Sequence, residues 1–112
     1  MKKLILGAMV LALALPLSAA TWKDVSLMDA GCATHKEKTD APDAHTKTCA
    51  MRCGAKGGYG ALIDGKFVKF DKKGDELTHA ALGKLEKEDH LRADITGELK
   101  DGKLEVSAID VK

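Results

Sequence analysis

The sequence predicts a small, mainly β domain, a five-stranded barrel with one helix between strands 3 and 4. Leu91 to Leu99 alternates apolar with polar residues, the period of a half-buried strand. Tyr59 to Phe70 holds two short apolar runs around Asp64-Gly65, a pair that readily takes the positive φ angles of a tight hairpin turn. Between these segments, Leu77, Ala81, Leu82 and Leu85 share one face at helical spacing. With 112 residues, the chain has room for one domain. Its 45% hydrophobic and 31% charged composition is that of a globular protein, with a core light in aromatics at 4%.

The elements follow in chain order. Met1-Lys2-Lys3 is a short positive region, Leu4 to Leu15 is almost wholly apolar, and Pro16 to Ala20 ends in small residues, so residues 1–20 read as a secretory signal peptide. The apolar run is too short for the roughly 20 residues of a bilayer-spanning helix, so no stable membrane anchor is expected. Cleavage before Thr21 leaves a single domain over residues 21–112, in the periplasm or outside the cell. Trp22 to Met28, with Val25 and Leu27 alternating with polar neighbours, suits a first strand.

Residues 29–58 lack any strand period and carry all three cysteines, forming a Cys/His-rich insert between strands 1 and 2. Within it, Asp43 to Arg52 suits a short helix, with Asp43 as N-cap and Gly54 as the stop. Tyr59–Ile63 and Lys66–Phe70 are strands 2 and 3. Asp71 to Gly74 breaks the strand, and Asp75 opens a helix that ends by about Asp89. Leu91–Leu99 is strand 4. Leu104, Val106 and Ala108 continue into strand 5, where Ile109 and Val111 change phase as a β-bulge requires. This order matches the five-stranded Greek-key barrel called the OB-fold, and equally an open α+β sheet with one packed helix; the barrel is the expectation.

Charge narrows the partners. The chain carries 18 Lys and Arg against 17 Asp and Glu, and loss of Lys2 and Lys3 with the leader turns that balance slightly acidic. Such a surface has no counterion-release drive toward nucleic acid and no polybasic attraction to anionic lipid. The remaining partners are a metal ion or another protein.

The insert concentrates the chemistry. Cys32 and His35 form a C-x2-H pair, and His45, Cys49 and Cys53 follow at four-residue steps. On a helix, that spacing aligns the last three on one stripe. Three thiolates and an imidazole satisfy tetrahedral Zn, and the same soft set suits Cu(I). The expected ligands are Cys32, His35, Cys49 and Cys53, with His45 as a spare or outer donor. The alternative is a disulfide from Cys32 to Cys49 or Cys53, worth about 3 kcal/mol, in an interaction module with one free thiol and no metal.

Catalysis is not expected. The C-x3-C spacing lacks the C-x-x-C arrangement that activates a thiol at a helix start, and no oxyanion loop accompanies the Cys and His residues. His79 and His90 read as solvated, and Tyr59, Phe67 and Phe70 as core.

The run His45-x3-Cys49-x3-Cys53, followed by Gly58-Tyr59-Gly60 and Gly65 to Asp71, resembles a family of small secreted bacterial proteins of uncharacterised function. Members are similar in having a signal peptide, an upstream Cys with a nearby His, and a C-terminal V-x-G-x-L-type hairpin, a position held here by Ile95 to Leu99. The resemblance implies an exported OB-like barrel with a Cys/His-rich insert. It assigns no activity.

Overall fold

The computed structural model describes residues 19–112, so most of the expected leader, residues 1–18, lies outside the described residues. Five strands close into a barrel in the order β1-β2-β3-β5-β4, with β4 also paired to β1. They are β1 (Ala20–Asp29), β2 (Tyr59–Ile63), β3 (Lys66–Phe70), β4 (Arg92–Lys100) and β5 (Lys103–Val111). All ladders are antiparallel except β3 with β5, where Lys69 faces Lys103 and Phe70 faces Leu104. The barrel, and not the open sheet, is the architecture.

The β2–β3 hairpin turns at Asp64 and Gly65, with φ of 53° and 79°. Asp101 and Gly102 repeat that geometry between β4 and β5, at 53° and 80°. On β5 the register slips between the Thr96–Ala108 and Gly97–Val106 pairs, leaving Ser107 as the extra residue. That bulge turns Ile109 and Val111 inward, while Ala108, expected inside, is exposed. A second bulge lies in β1 between Trp22 and Val25, where Asp24 takes φ 52° and its N–H donates to Asp94 Oδ1 at 2.8 Å. Leu27, Ala61, Phe70, Ile95, Leu104 and Val106 fill the interior.

Among the described residues, three α-helices accompany the strands: α1 (Lys36–Asp40), α2 (Lys47–Gly57) and α3 (Lys72–Lys84). Helix α3 joins β3 to β4 and buries Thr78 and Leu82 against the barrel. Its cap is Asp71 and not Asp75. The Asp71 carboxylate accepts from Gly74 N at 2.9 Å and from Val106 N at 3.2 Å, so it ties the helix start to β5 as well. The helix stops at Lys84, short of the expected Asp89, where Leu85 turns extended.

In the insert, α2 begins four residues after the expected start. Pro42 to Ala44 forms a 3-10 turn, His45 is extended, and Thr46 Oγ1 caps α2 by accepting from Cys49 N at 3.2 Å. The helix passes Gly54 and ends at Gly58, whose φ is 82°. His45 therefore precedes the helix, and the single helical stripe of His45, Cys49 and Cys53 does not form. Only the two cysteines share it.

Candidate metal centre

The insert leaves the barrel at Asp29 and returns at Tyr59, its partner across the β1–β2 ladder. Ala30 N donates to Gly58 O at 2.9 Å, closing the neck of the insert. Strand alternation lapses at this end of β1, where Leu27, Met28 and Asp29 are all buried.

Asp29 is the centre of the site. It is 0% exposed, and a buried carboxylate needs hydrogen bonds or positive charge around it. Oδ2 accepts from the Cys32 backbone N–H at 2.8 Å, which sets the 3-10 turn Cys32–Thr34. Oδ1 accepts from His45 Nε2 at 2.7 Å, and His45 is itself 4% exposed. The strand end thus holds both the turn and the link before α2.

The position of His45 is fixed from both sides. Its N–H donates to Pro42 O at 3.1 Å, and the His90 N–H donates to Asp43 O at 3.1 Å. Arg92 of β4 grips Asp43 with two bonds, Nε to Oδ1 at 3.0 Å and Nη2 to Oδ2 at 2.8 Å. A third Arg92 contact reaches Asp24 Oδ2 at 3.0 Å. Bidentate guanidinium–carboxylate pairing restrains orientation as well as distance. The turn carrying His45 is clamped to the barrel wall.

One donor atom each from Asp29, Cys32 and His45 lie within 4.8 Å of one another. Tetrahedral zinc separates its ligand atoms by about 3.3–3.8 Å, given its bond lengths. The group brackets that spacing: at 2.7 Å the Asp29–His45 contact is shorter than it, and the outer limit of 4.8 Å is longer. A bound ion would draw the three donors to a common distance.

Burial, followed by the negative charges of Asp29 and Cys53, pushes the Cys32 thiol up to about 11. Lys38 offsets this only in part; a bound cation would favour the thiolate. The same setting disfavours a nucleophilic cysteine, since activated thiols sit in electropositive surroundings.

Of the five expected donors, the structure brings Cys32 and His45 together. Cys53 is half-buried on α2, and a Cβ built on Gly31 would lie 3.9 Å from the Cys53 Cβ. Cys49 lies one helical turn away and is outside the three-residue group. His35 is exposed at the start of α1, its N–H donating to Cys32 O at 3.0 Å. All three cysteines are free thiols. Asp29 joins the site although the sequence reading passed over it. The available signal was an Asp three residues before Cys32, the spacing of a side chain that caps a short turn.

His79, expected as solvated, is half-buried and hydrogen-bonded to the Tyr59 hydroxyl. Burial, then Asp29 and Asp75, pushes the Tyr59 phenol up to about 12. These residues line a cleft of about 570 Å³ between α2 and α3, which none of Asp29, Cys32 and His45 lines. Of its two acidic residues, Asp75 and Glu76, Asp75 is engaged by Lys69 at 2.9 Å and by Tyr59 N at 2.8 Å. The cleft and the Asp29 group are separate features.

No family model, curated protein or solved structure matches the chain.

Proposed function

We propose that the protein is an exported, non-enzymatic metal-binding domain, periplasmic or secreted, that holds one transition-metal ion on Asp29, Cys32 and His45. The observation that carries this reading is the buried Asp29 carboxylate, bonded at once to His45 Nε2 and to the Cys32 backbone. A hard carboxylate, a borderline imidazole and a soft thiolate together favour Zn(II) over Cu(I), which prefers sulfur-rich sites. Three protein donors leave one coordination position open to water or a further ligand, unlike a closed four-ligand structural site. The leader-like N-terminus and the resemblance to small secreted proteins support the export half of the proposal.

The test is a zinc titration of reduced, metal-free protein in competition with a chromogenic chelator. The wild type takes up one equivalent, and so do His35→Ala and Cys49→Ser. Asp29→Asn and Cys32→Ser lose tight binding. A wild type without stoichiometric uptake overturns the proposal.

A further inference from the structure

The cleft between the C-terminal half of α2 and α3 has a volume of about 570 Å³, the size of a pocket for a small organic molecule, and lies apart from Asp29, Cys32 and His45. Its walls are low because Gly54, Gly57 and Ala80 line them with little or no side chain. At Gly54 the ring of Tyr59 takes the space of a side chain, since a Cβ there would fall 2.2 Å from it. That packing sets the buried phenol in the cleft beside His79.

The hydrogen-bonding capacity left over in the cleft is mostly donor. Asp75 is spent: both of its oxygens accept from Lys69 Nζ, at 3.0 and 2.9 Å, and Oδ1 also accepts from Tyr59 N. The Tyr59 phenol, pushed up to about 12 chiefly by burial, keeps its proton in neutral solution. Its O–H donates to His79 Nδ1, which leaves the proton of the imidazole on Nε2. Nε2 has no protein partner, yet among the described residues the one buried side-chain nitrogen or oxygen without a partner is Thr78 Oγ1. Nε2 is therefore reached by solvent, and the cleft is the space that His79 lines. Lys56, in the last turn of α2, and Lys72, at the start of α3, are exposed and form no ion pair among the described residues. Against these donors stands one free carboxylate, Glu76, so positive charge is in surplus.

We propose that this cleft binds a small organic carboxylate with an apolar body. The anion takes the Nε2–H of His79 and the ammonium groups of Lys56 and Lys72, and the hydrocarbon part lies over Gly54, Gly57 and Ala80. Donors that meet an ionised acceptor make the stronger class of hydrogen bond, and the small-residue wall rewards an apolar surface that water leaves. The site neither uses nor needs the metal.

The test is a titration of reduced, metal-free, 15N-labelled protein with benzoate, with benzamide and with inorganic phosphate, followed by amide and imidazole chemical shifts. Benzoate is expected to give saturable shifts concentrated in residues 54–59 and 72–80, with His79 Nε2 among the resonances that move. Benzamide keeps the shape without the charge and should bind at least about tenfold more weakly. Phosphate keeps charge without an apolar body and should also bind at least about tenfold more weakly. The double variant Lys56→Met, Lys72→Met changes two exposed side chains and should weaken benzoate by about threefold or more while leaving the melting temperature near that of the wild type. Benzoate shifts that do not saturate or that fall outside the cleft overturn the proposal. So does equal binding of benzamide or of phosphate, or benzoate affinity unchanged in the double variant.

Discussion

Asp29 Oδ1 lies 2.7 Å from His45 Nε2, and the side chains of both are shielded from solvent. The pair joins the end of β1 to the link before α2 and fixes one edge of the donor group. Without its imidazole partner, the buried Asp29 carboxylate would keep only the Cys32 N–H bond to Oδ2 and leave Oδ1 without a partner.

His45→Ala is therefore expected to destabilise the metal-free protein by about 1–3 kcal/mol, the scale for leaving a buried hydrogen-bond acceptor without its partner. The urea midpoint of reduced, metal-free protein reads this directly. An unchanged midpoint would mean that Asp29 finds another partner or water.

Asp29→Asn keeps the shape of the side chain and removes its charge. Loss of an outer partner already costs 10–100-fold in metal affinity, so loss of a direct donor should cost at least about 100-fold. Competition titration with zinc measures the ratio. Equal affinities would take Asp29 out of the ligand set.

Two helical glycines should respond to alanine with opposite signs. A Cβ on Gly54 would fall 2.2 Å from the ring of buried Tyr59, so Gly54→Ala overpacks the α2 interface and costs about 1–3 kcal/mol. At Gly83 the nearest atom is Met51 Cε at 3.8 Å, and Gly83→Ala should stabilise α3 by up to about 1 kcal/mol through helix propensity. Thermal denaturation of the two variants separates steric from intrinsic effects. Stabilisation by Gly54→Ala would contradict the packing of Tyr59.

The clamp on the His45 turn predicts a pH dependence. Hydrogen bonding to Arg92 holds the Asp43 carboxyl below its ordinary value of 3.8. A depressed folded-state value stabilises the fold above that ordinary value, and the contribution fades as pH falls through the depressed one. The wild type should be more stable than Asp43→Asn at pH 6, with the difference shrinking below about pH 4. Melting curves of both proteins across that range provide the check. A difference independent of pH would assign the Asp43 effect to something other than its charge.

Much of the barrel was legible because its signals are local. Asp64-Gly65 specifies its turn through backbone conformation, and Leu91 to Leu99 declares its buried face through strict alternation. The phase change in β5 marked a bulge before any partner strand was known, although the extra residue is Ser107. Helix starts were harder to read. Asp43, Thr46, Asp71 and Asp75 are all acceptable N-caps by residue type, and tertiary bonds decide among them: Arg92 occupies Asp43, Lys69 and Tyr59 N occupy Asp75.

The site was legible only in part for a related reason. Cys32 and His45 stood out by residue type, but their convergence depends on Asp29, which looks in sequence like the polar start of a loop. Its burial comes from the neck that Ala30 and Gly58 close, and no periodicity encodes that. Even spacing of His45, Cys49 and Cys53 suggested one stripe, whereas the Thr46 cap sets His45 apart from the two cysteines.

X-ray absorption at the zinc edge of the metal-loaded, reduced protein tests the ligand assignment most directly. Coordination by Asp29, Cys32 and His45 predicts one sulfur at about 2.3 Å and the remaining scatterers as nitrogen or oxygen at about 2.0–2.2 Å. A shell of two or three sulfurs would contradict it and return the metal to the cysteines of α2.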